Sequence, residues 1–217
     1  MFHAAKTFLL IYAALFPIID PIGNVPFFVA ATVGCTEAER RALAFGVARY
    51  GFFLLVGSLF FGANVLGFFG VTLSAVRVAG GLAVSAFGWR LLESGGSVDG
   101  GRDTGTRANG ARPPDAFYPL TLPLTVGPGS ISVAITLGAV RPPWLQEPLN
   151  LVFFVAAALA AIIALCVTIY LCYRFAERTV AILGERGTNV MLRLAAFIML
   201  CIGIQIVWGG VSAFLHH

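Results

Sequence analysis

The sequence predicts an all-α integral membrane protein: six transmembrane helices arranged as two inverted three-helix repeats, each with a first helix broken by proline and glycine. Three observations lead there. Of 217 residues, 59% are hydrophobic and only 11% charged, whereas a soluble domain has roughly a quarter charged residues. Six apolar segments, at 7–32, 42–69, 73–92, 117–140, 149–172 and 190–215, are long enough to cross a bilayer, which takes about 20 residues for a ~30 Å core. Finally, F-P-I-I-D-P-I-G-N-V-P-F-F at 16–28 returns as Y-P-L-T-L-P-L-T-V-G-P-G-S at 118–130, with one P-x3-P-x4-P spacing displaced by 102 residues.

The first segment follows Lys6 and could be taken for a signal peptide. Its apolar core runs into Asp20-Pro21 rather than a small-residue cleavage site, which predicts a retained first span. Pro17, Pro21 and Pro26 then break it, because an interior proline lacks an N–H and clashes with the preceding turn. Segments two and three meet at a tight turn near 70–72. A polar stretch at 93–115, ending in Pro113-Pro114, reads as a flexible cytoplasmic linker. The chain thus divides into 1–92, a linker at 93–116, and 117–217. In the second half Pro119, Pro123 and Pro128 break the fourth segment, and short links at 141–148 and 173–189 join the rest.

Orientation follows from the basic residues beside the segment ends. With the N-terminus outside, Arg40, Arg41, Arg49, Arg90, Arg102, Arg107, Arg112, Arg174, Arg178, Arg186 and Arg193 lie inside, and Lys6, Arg77 and Arg141 lie outside. Both termini are then expected on the periplasmic side of a bacterial inner membrane. The repeat reaches the third segments too: V-R-V-A-G-G at 76–81 matches L-R-L-A-A-F at 192–197, setting Arg77 against Arg193. Three crossings per repeat is an odd number, so the second copy enters the membrane inverted. Such repeats hold a site between them near the midplane, and broken helices at corresponding places point to it.

Asp20 is the one acidic residue deep in a predicted span. A charge at the bilayer centre costs about 2.5–3.5 kcal/mol on insertion scales and marks a functional candidate. Alternatively, Asp20 caps the half-helix starting at Pro21. In the second repeat Leu122 stands before Pro123, so the break itself needs no carboxylate. Asp20 can do both, capping while it takes up a proton or a sodium ion. Gly23, Asn24, Thr125, Gly127, Gly129 and Ser130 are the polar or bare-backbone positions at the breaks. They suit a small zwitterion, since half-helix N-termini favour carboxylates, or else simply allow close helix packing. Arg77 and Arg193 are expected to snorkel to the interfaces, with contact to a substrate carboxylate as the alternative. Gln205 should find a hydrogen-bond partner within the bundle.

Other chemistry finds little footing. The histidines, His3, His216 and His217, are terminal, so no His-based triad, metal cluster or proton shuttle is available within the bundle. There is no G-x-S-x-G and no phosphate loop. Cys35, Cys166, Cys172 and Cys201 form no C-x-x-C pair, and they read as small apolar residues. The net charge of +4 is scattered over loops rather than gathered on one face, which argues against nucleic acid. No enzyme activity, cofactor or metal is expected.

These motifs resemble the MarC-like six-span inner-membrane proteins. The resemblance rests on D-P-I-G-N-V-P-F-F (20–28), L-S-A-V-R-V-A-G-G (73–81), P-L-T-V-G-P-G-S-I (123–131) and the R-L-A-A opening at 193–196, which together cover nearly the whole chain in order. The last departs from the family's usual glycine near that place. Some relatives are described as transporters of small neutral amino acids, so the resemblance implies a transporter without naming its substrate. Two function classes stand: a carrier for a small zwitterion driven by a proton or sodium gradient, and a non-transporting scaffold or partner subunit whose breaks only shape the bundle.

Overall fold

A computed structural model describes residues 2–93, 115–117, 120–139 and 148–215. The linker and the link at 141–147 fall outside these residues, as do Pro119, Arg102, Arg107, Arg112 and Arg141. The described elements are helical: α1 (Phe2–Ile19), α2 (Val25–Ala31), α3 (Glu37–Phe68), α4 (Leu73–Glu93), a π-helical turn (Leu120–Thr125), α5 (Pro128–Ala139), α6 (Pro148–Arg174) and α7 (Ala176–Leu215).

Four stretches are long and apolar enough to cross a membrane: Glu37–Phe68, Leu73–Glu93, Asn150–Arg174 and Arg186–Leu215. They match the second, third, fifth and sixth predicted segments. The first is divided only at 20–24, around Pro21, into α1 and α2. Pro17 stays inside α1 and Pro26 lies in the first turn of α2, so neither breaks the chain as expected. The fourth is divided into the π-helical turn and α5. α3 starts earlier than its apolar run because Thr36 caps it: the Glu39 N–H donates to Thr36 Oγ1 at 3.3 Å, and the Thr36 N–H to Glu39 Oε2 at 2.8 Å. α3 and α4 are joined at Gly70, whose φ of +66° turns the chain. The polar link expected at 173–189 is instead helical and belongs to α7. Only Phe175 separates it from α6, and the chain bends at Gly184, with φ +65° and ψ 177°.

The most extensive contact in the fold joins α4 to α7, which run antiparallel. A Cβ added at Gly81 would stand 2.7 Å from both the Gly203 carbonyl oxygen and the Val207 amide nitrogen. One added at Gly88 would stand 2.8 Å from the Leu200 nitrogen, and one at Gly210 would stand 3.0 Å from the Ser74 oxygen. Backbone therefore packs on backbone, as small residues allow where hydrocarbon provides no hydrophobic drive between helices. Ala196 is part of this seam, its carbonyl 3.0 Å from a Cβ at Gly88.

Around the seam the halves are interlocked. α1 packs on α6, and α2 on α7; α5 packs on α3 and α4. α1 runs parallel to α6, where Tyr12 Oη lies 3.2 Å from Thr168 Oγ1. α3 and α6 pass antiparallel, with the Phe45 and Tyr170 rings edge to face at 6.4 Å. The core collects where these elements cross, with Leu15, Ile19, Phe28, Leu55, Leu120, Ile162, Leu165 and Tyr173 fully buried.

The seam sets a prediction. Gly203→Leu must push α7 off α4 and should cost about 1–3 kcal/mol or more by overpacking, read as a lower melting temperature in detergent. Gly209 has open space around it, so Gly209→Leu should change stability by no more than about 0.5 kcal/mol. Equal effects at the two positions would refute backbone contact as the reason for Gly203.

Candidate functional site

The first break is built on Asp20, the only non-glycine residue with positive φ (+42°) among the described residues. Aspartate visits this left-handed region more readily than most side chains because its short polar group bonds locally. Here its Oδ1 accepts the Gly23 N–H at 3.0 Å, and its carbonyl accepts the Asn24 N–H at 3.0 Å. Asn24 points back across the gap, its Nδ2 donating to the Ile19 carbonyl at 2.8 Å. One side chain thus serves the start of the new turn and the other the end of α1, and backbone groups freed by the break are satisfied inside the protein. A side chain on Gly23 would strike the Asp20 carboxylate and come within 2.6 Å of Ala195 Cβ on α7. Glycine here is required by packing, and its N–H is already taken.

The second break uses a different device. The N–H groups of Leu122 and Val126 reach back five residues, to Phe117 at 2.9 Å and Thr121 at 2.8 Å, a widening common at functional sites. Leu122 sits inside it in an extended conformation, φ −107° and ψ 125°. Threonine hydroxyls bond the carbonyls that the wide turn leaves: Thr121 Oγ1 donates to Ala116 at 2.7 Å and Thr125 Oγ1 to Leu120 at 2.8 Å. Ser130 Oγ donates to Gly127 and Ser132 Oγ to Gly129. Gly129 packs on Val84 of α4, and a Cβ at Gly80 would stand 2.6 Å from Ser132 Oγ. Each break therefore rests on the small-residue motif of the other half, Ala195 for the first and Gly80 for the second.

Tyr173, in the last turn of α6, joins the breaks. Its ring stacks on Phe28 of α2 with centroids 4.3 Å apart, and its hydroxyl lies 2.8 Å from Thr125 Oγ1. It is completely buried. Asp20 lies near Cys172 and Tyr173. The first break is therefore level with the end of α6 and not with its middle. Sequence reasoning passed over Tyr173, because a tyrosine beside an arginine at the end of a span has the signature of an interfacial anchor.

Of the predicted site residues, Gly23, Asn24, Thr125, Gly129 and Ser130 are buried, while Asp20 and Gly127 keep partial exposure. All seven lie at the two breaks. Arg77 does not extend freely to the surface: it is half-buried, and its Nε donates to Thr136 Oγ1 of α5 at 3.2 Å. Arg193 is exposed. Gln205 is exposed too, contrary to the expected place within the bundle. Gly203 and Val207 face α4, and two residues along a helix is about 200° around it, so Gln205 points away. Among the described residues no three His, Cys, Asp or Glu side chains gather as a metal site would need.

The junction makes its own prediction. Tyr173→Phe removes one hydroxyl bond and leaves Thr125 its carbonyl partner, so it should cost about 1 kcal/mol. Tyr173→Ala also removes the ring between the breaks and should cost about 3–5 kcal/mol. Melting temperatures in detergent measure both, and a tolerated alanine would show that Tyr173 does not hold the breaks together.

The whole chain can now be set beside known proteins. The model of the MarC family integral membrane protein matches residues 5–215. The UPF0056 membrane protein YvbG of Bacillus subtilis is 29% identical over 203 residues, covering 93% of this chain and 92% of the relative. The UPF0056 inner membrane protein MarC of Salmonella typhimurium is 27% identical over 207 residues, covering 91% and 90%. A UPF0056 membrane protein of Buchnera aphidicola is 27% identical over 209 residues, covering 94% and 93%. No solved structure matches. Matched by that family model over residues 5–215, the chain belongs to the MarC family of integral membrane proteins.

Proposed function

We propose that this protein is a secondary transporter of a small zwitterionic solute, such as a neutral amino acid, in the bacterial inner membrane, coupled to a proton or sodium gradient. The reading rests on one observation: two helix breaks at corresponding places in the two halves converge on one buried tyrosine. Paired broken helices are how secondary carriers form a site from backbone groups. An inverted repeat is supported by the crossed packing. α4 and α7 are antiparallel, as are α3 and α6, and each broken segment lies on the later helices of the other half.

In this reading the conformation is an occluded one. The polar side chains at the breaks bond to nearby backbone, and opening would exchange some of these bonds for bonds to the solute. Asp20 caps its turn through Oδ1 and, being partly exposed, is the carboxylate that a proton or sodium ion reaches. The second reading, a scaffold or partner subunit, draws on the close packing of the breaks: neither the cavity beside Arg40 nor the one beside Gly62 is lined by a break residue.

Uptake by proteoliposomes over a panel of amino acids, with and without proton and sodium gradients, separates the two. Asp20→Asn preserves an acceptor for the Gly23 N–H and tolerance of positive φ. It should change stability by less than about 0.5 kcal/mol while abolishing gradient-driven accumulation. Asp20→Leu loses the cap and strains the backbone, at a cost of about 1–3 kcal/mol. Wild-type accumulation by the Asn variant would reduce Asp20 to a cap, and a panel with no uptake by the wild-type protein would favour the scaffold. The eleven-to-three balance of basic residues favours both termini outside. A C-terminal phosphatase reporter that works only in the periplasm should therefore be active, and an inactive, well-expressed fusion would reverse the topology.

A further inference from the structure

A second polar site lies beside the breaks but shares no residue with them, where α3 begins and α6 ends. Glu37, Arg40, Arg41, Arg174, Glu177 and Arg178 line a cavity of about 140 Å³. Its floor is Arg40, which is 9% exposed. That guanidinium is held in place: Nε donates to Thr32 Oγ1 at 3.1 Å, Nη2 to the Thr32 carbonyl at 3.3 Å, and Nη1 pairs with Glu177. Arg41 lies 3.8 Å from Glu37. Both carboxylates are thus engaged, and four arginines against two glutamates leave a formal charge of +2 (4 − 2).

The surplus falls on Arg174 and Arg178, neither of which has a carboxylate within ion-pair distance among the described residues. Their guanidinium groups are oriented by rings instead. Arg174 lies over Phe175 at 5.5 Å and over Tyr170 at 5.9 Å, and Arg178 lies over Phe175 at 5.7 Å. Arg174 Nη1 also donates to the Tyr170 hydroxyl at 3.5 Å, and the ring contacts leave the remaining N–H groups of both side chains for an acceptor. Two uncompensated guanidinium groups around a small cavity match an anion with up to two charges and several oxygens.

We propose that this cavity binds a phosphate group, and that the phosphate is the headgroup of an anionic phospholipid. The placement argues for the lipid source. The apolar run of α3 begins just after Arg41 and that of α6 ends at Arg174, so the cavity opens at the level where headgroups meet the hydrocarbon. Aromatic and basic side chains gather at that level, and anionic headgroups attract basic clusters there.

The test titrates the full-length protein in detergent with phosphatidylglycerol, phosphatidylcholine or inorganic phosphate and follows the melting temperature. Native mass spectrometry counts retained lipid. Phosphatidylglycerol should stabilise the wild-type protein and remain bound where phosphatidylcholine does not. Arg174→Gln/Arg178→Gln should raise the midpoint of that titration at least about tenfold, the loss expected for charge-assisted hydrogen bonds worth about 1.4 kcal/mol. Arg178→Gln alone, at an exposed side chain, should shift it in the same direction and guards against misfolding of the pair. Stabilisation by inorganic phosphate but not by phosphatidylglycerol would establish the phosphate site and overturn its lipid source. Equal responses to phosphatidylglycerol and phosphatidylcholine with no response to phosphate, or an unchanged midpoint in the variants, would overturn the proposal.

Discussion

Along α4 and α7 the main chains come so close that Gly81, Gly88, Gly203 and Gly210 have no room for a side chain. Lipid tails are as apolar as leucine, so burying leucine between two helices gains little in a bilayer. Close van der Waals contact between backbones does gain something, and it demands small residues at a regular spacing. The rest of the architecture follows from that seam. It joins the third segments of the two halves, leaves α5 to pack on α4 and α2 on α7, and presents Gly80 and Ala195 as the flat places where the broken segments rest.

The two breaks solve one problem by different chemistry. A broken helix in hydrocarbon exposes N–H and C=O groups that must find partners within the protein. In the first half a carboxylate and an amide supply them, Asp20 for Gly23 and Asn24 for Ile19. In the second half the chain widens its own turn, and Thr121, Thr125, Ser130 and Ser132 close onto nearby carbonyls. The common P-x3-P-x4-P spacing therefore sets where the helices break and leaves open how the breaks are stabilised. Because the second break manages without a carboxylate, Asp20 is one way to cap such a break and not a requirement of the proline spacing.

Much of this was legible in the residues. Proline lacks a donor whatever surrounds it, so the positions of both breaks could be read directly. The long apolar runs named the four unbroken helices to within a few residues. Other features depended on three-dimensional context that no local pattern carries. Tyr173 has the neighbours of an interfacial anchor, and only the crossing of α2 and the π-helical turn at the end of α6 buries it. The stretch at 173–189 is polar enough to suggest a loop, yet Ala176 continues almost without interruption from α6 and the helix bends only at Gly184. Gln205 looked internal because an amide in an apolar helix needs a partner, but the glycines two positions before and five after it face α4 and turn it outward.

Crossed packing also limits how such a bundle can move. Each broken segment is held mainly by helices of the opposite half, so neither half can turn as a block without shifting the other half's break. The seam between α4 and α7 resists sliding, because displaced backbone would meet the shoulders between glycines. Contacts of other kinds tie the breaks: a ring stack and a hydroxyl bond at Tyr173, and at the nearby end of the bundle the Arg40–Glu177 pair linking α3 to α7. Hydroxyl bonds and half-exposed ion pairs can be exchanged for water or solute at small net cost, whereas interlocked backbones cannot. Motion that opens the breaks would therefore pass through Tyr173 and Arg40 first and leave the glycine seam as its pivot.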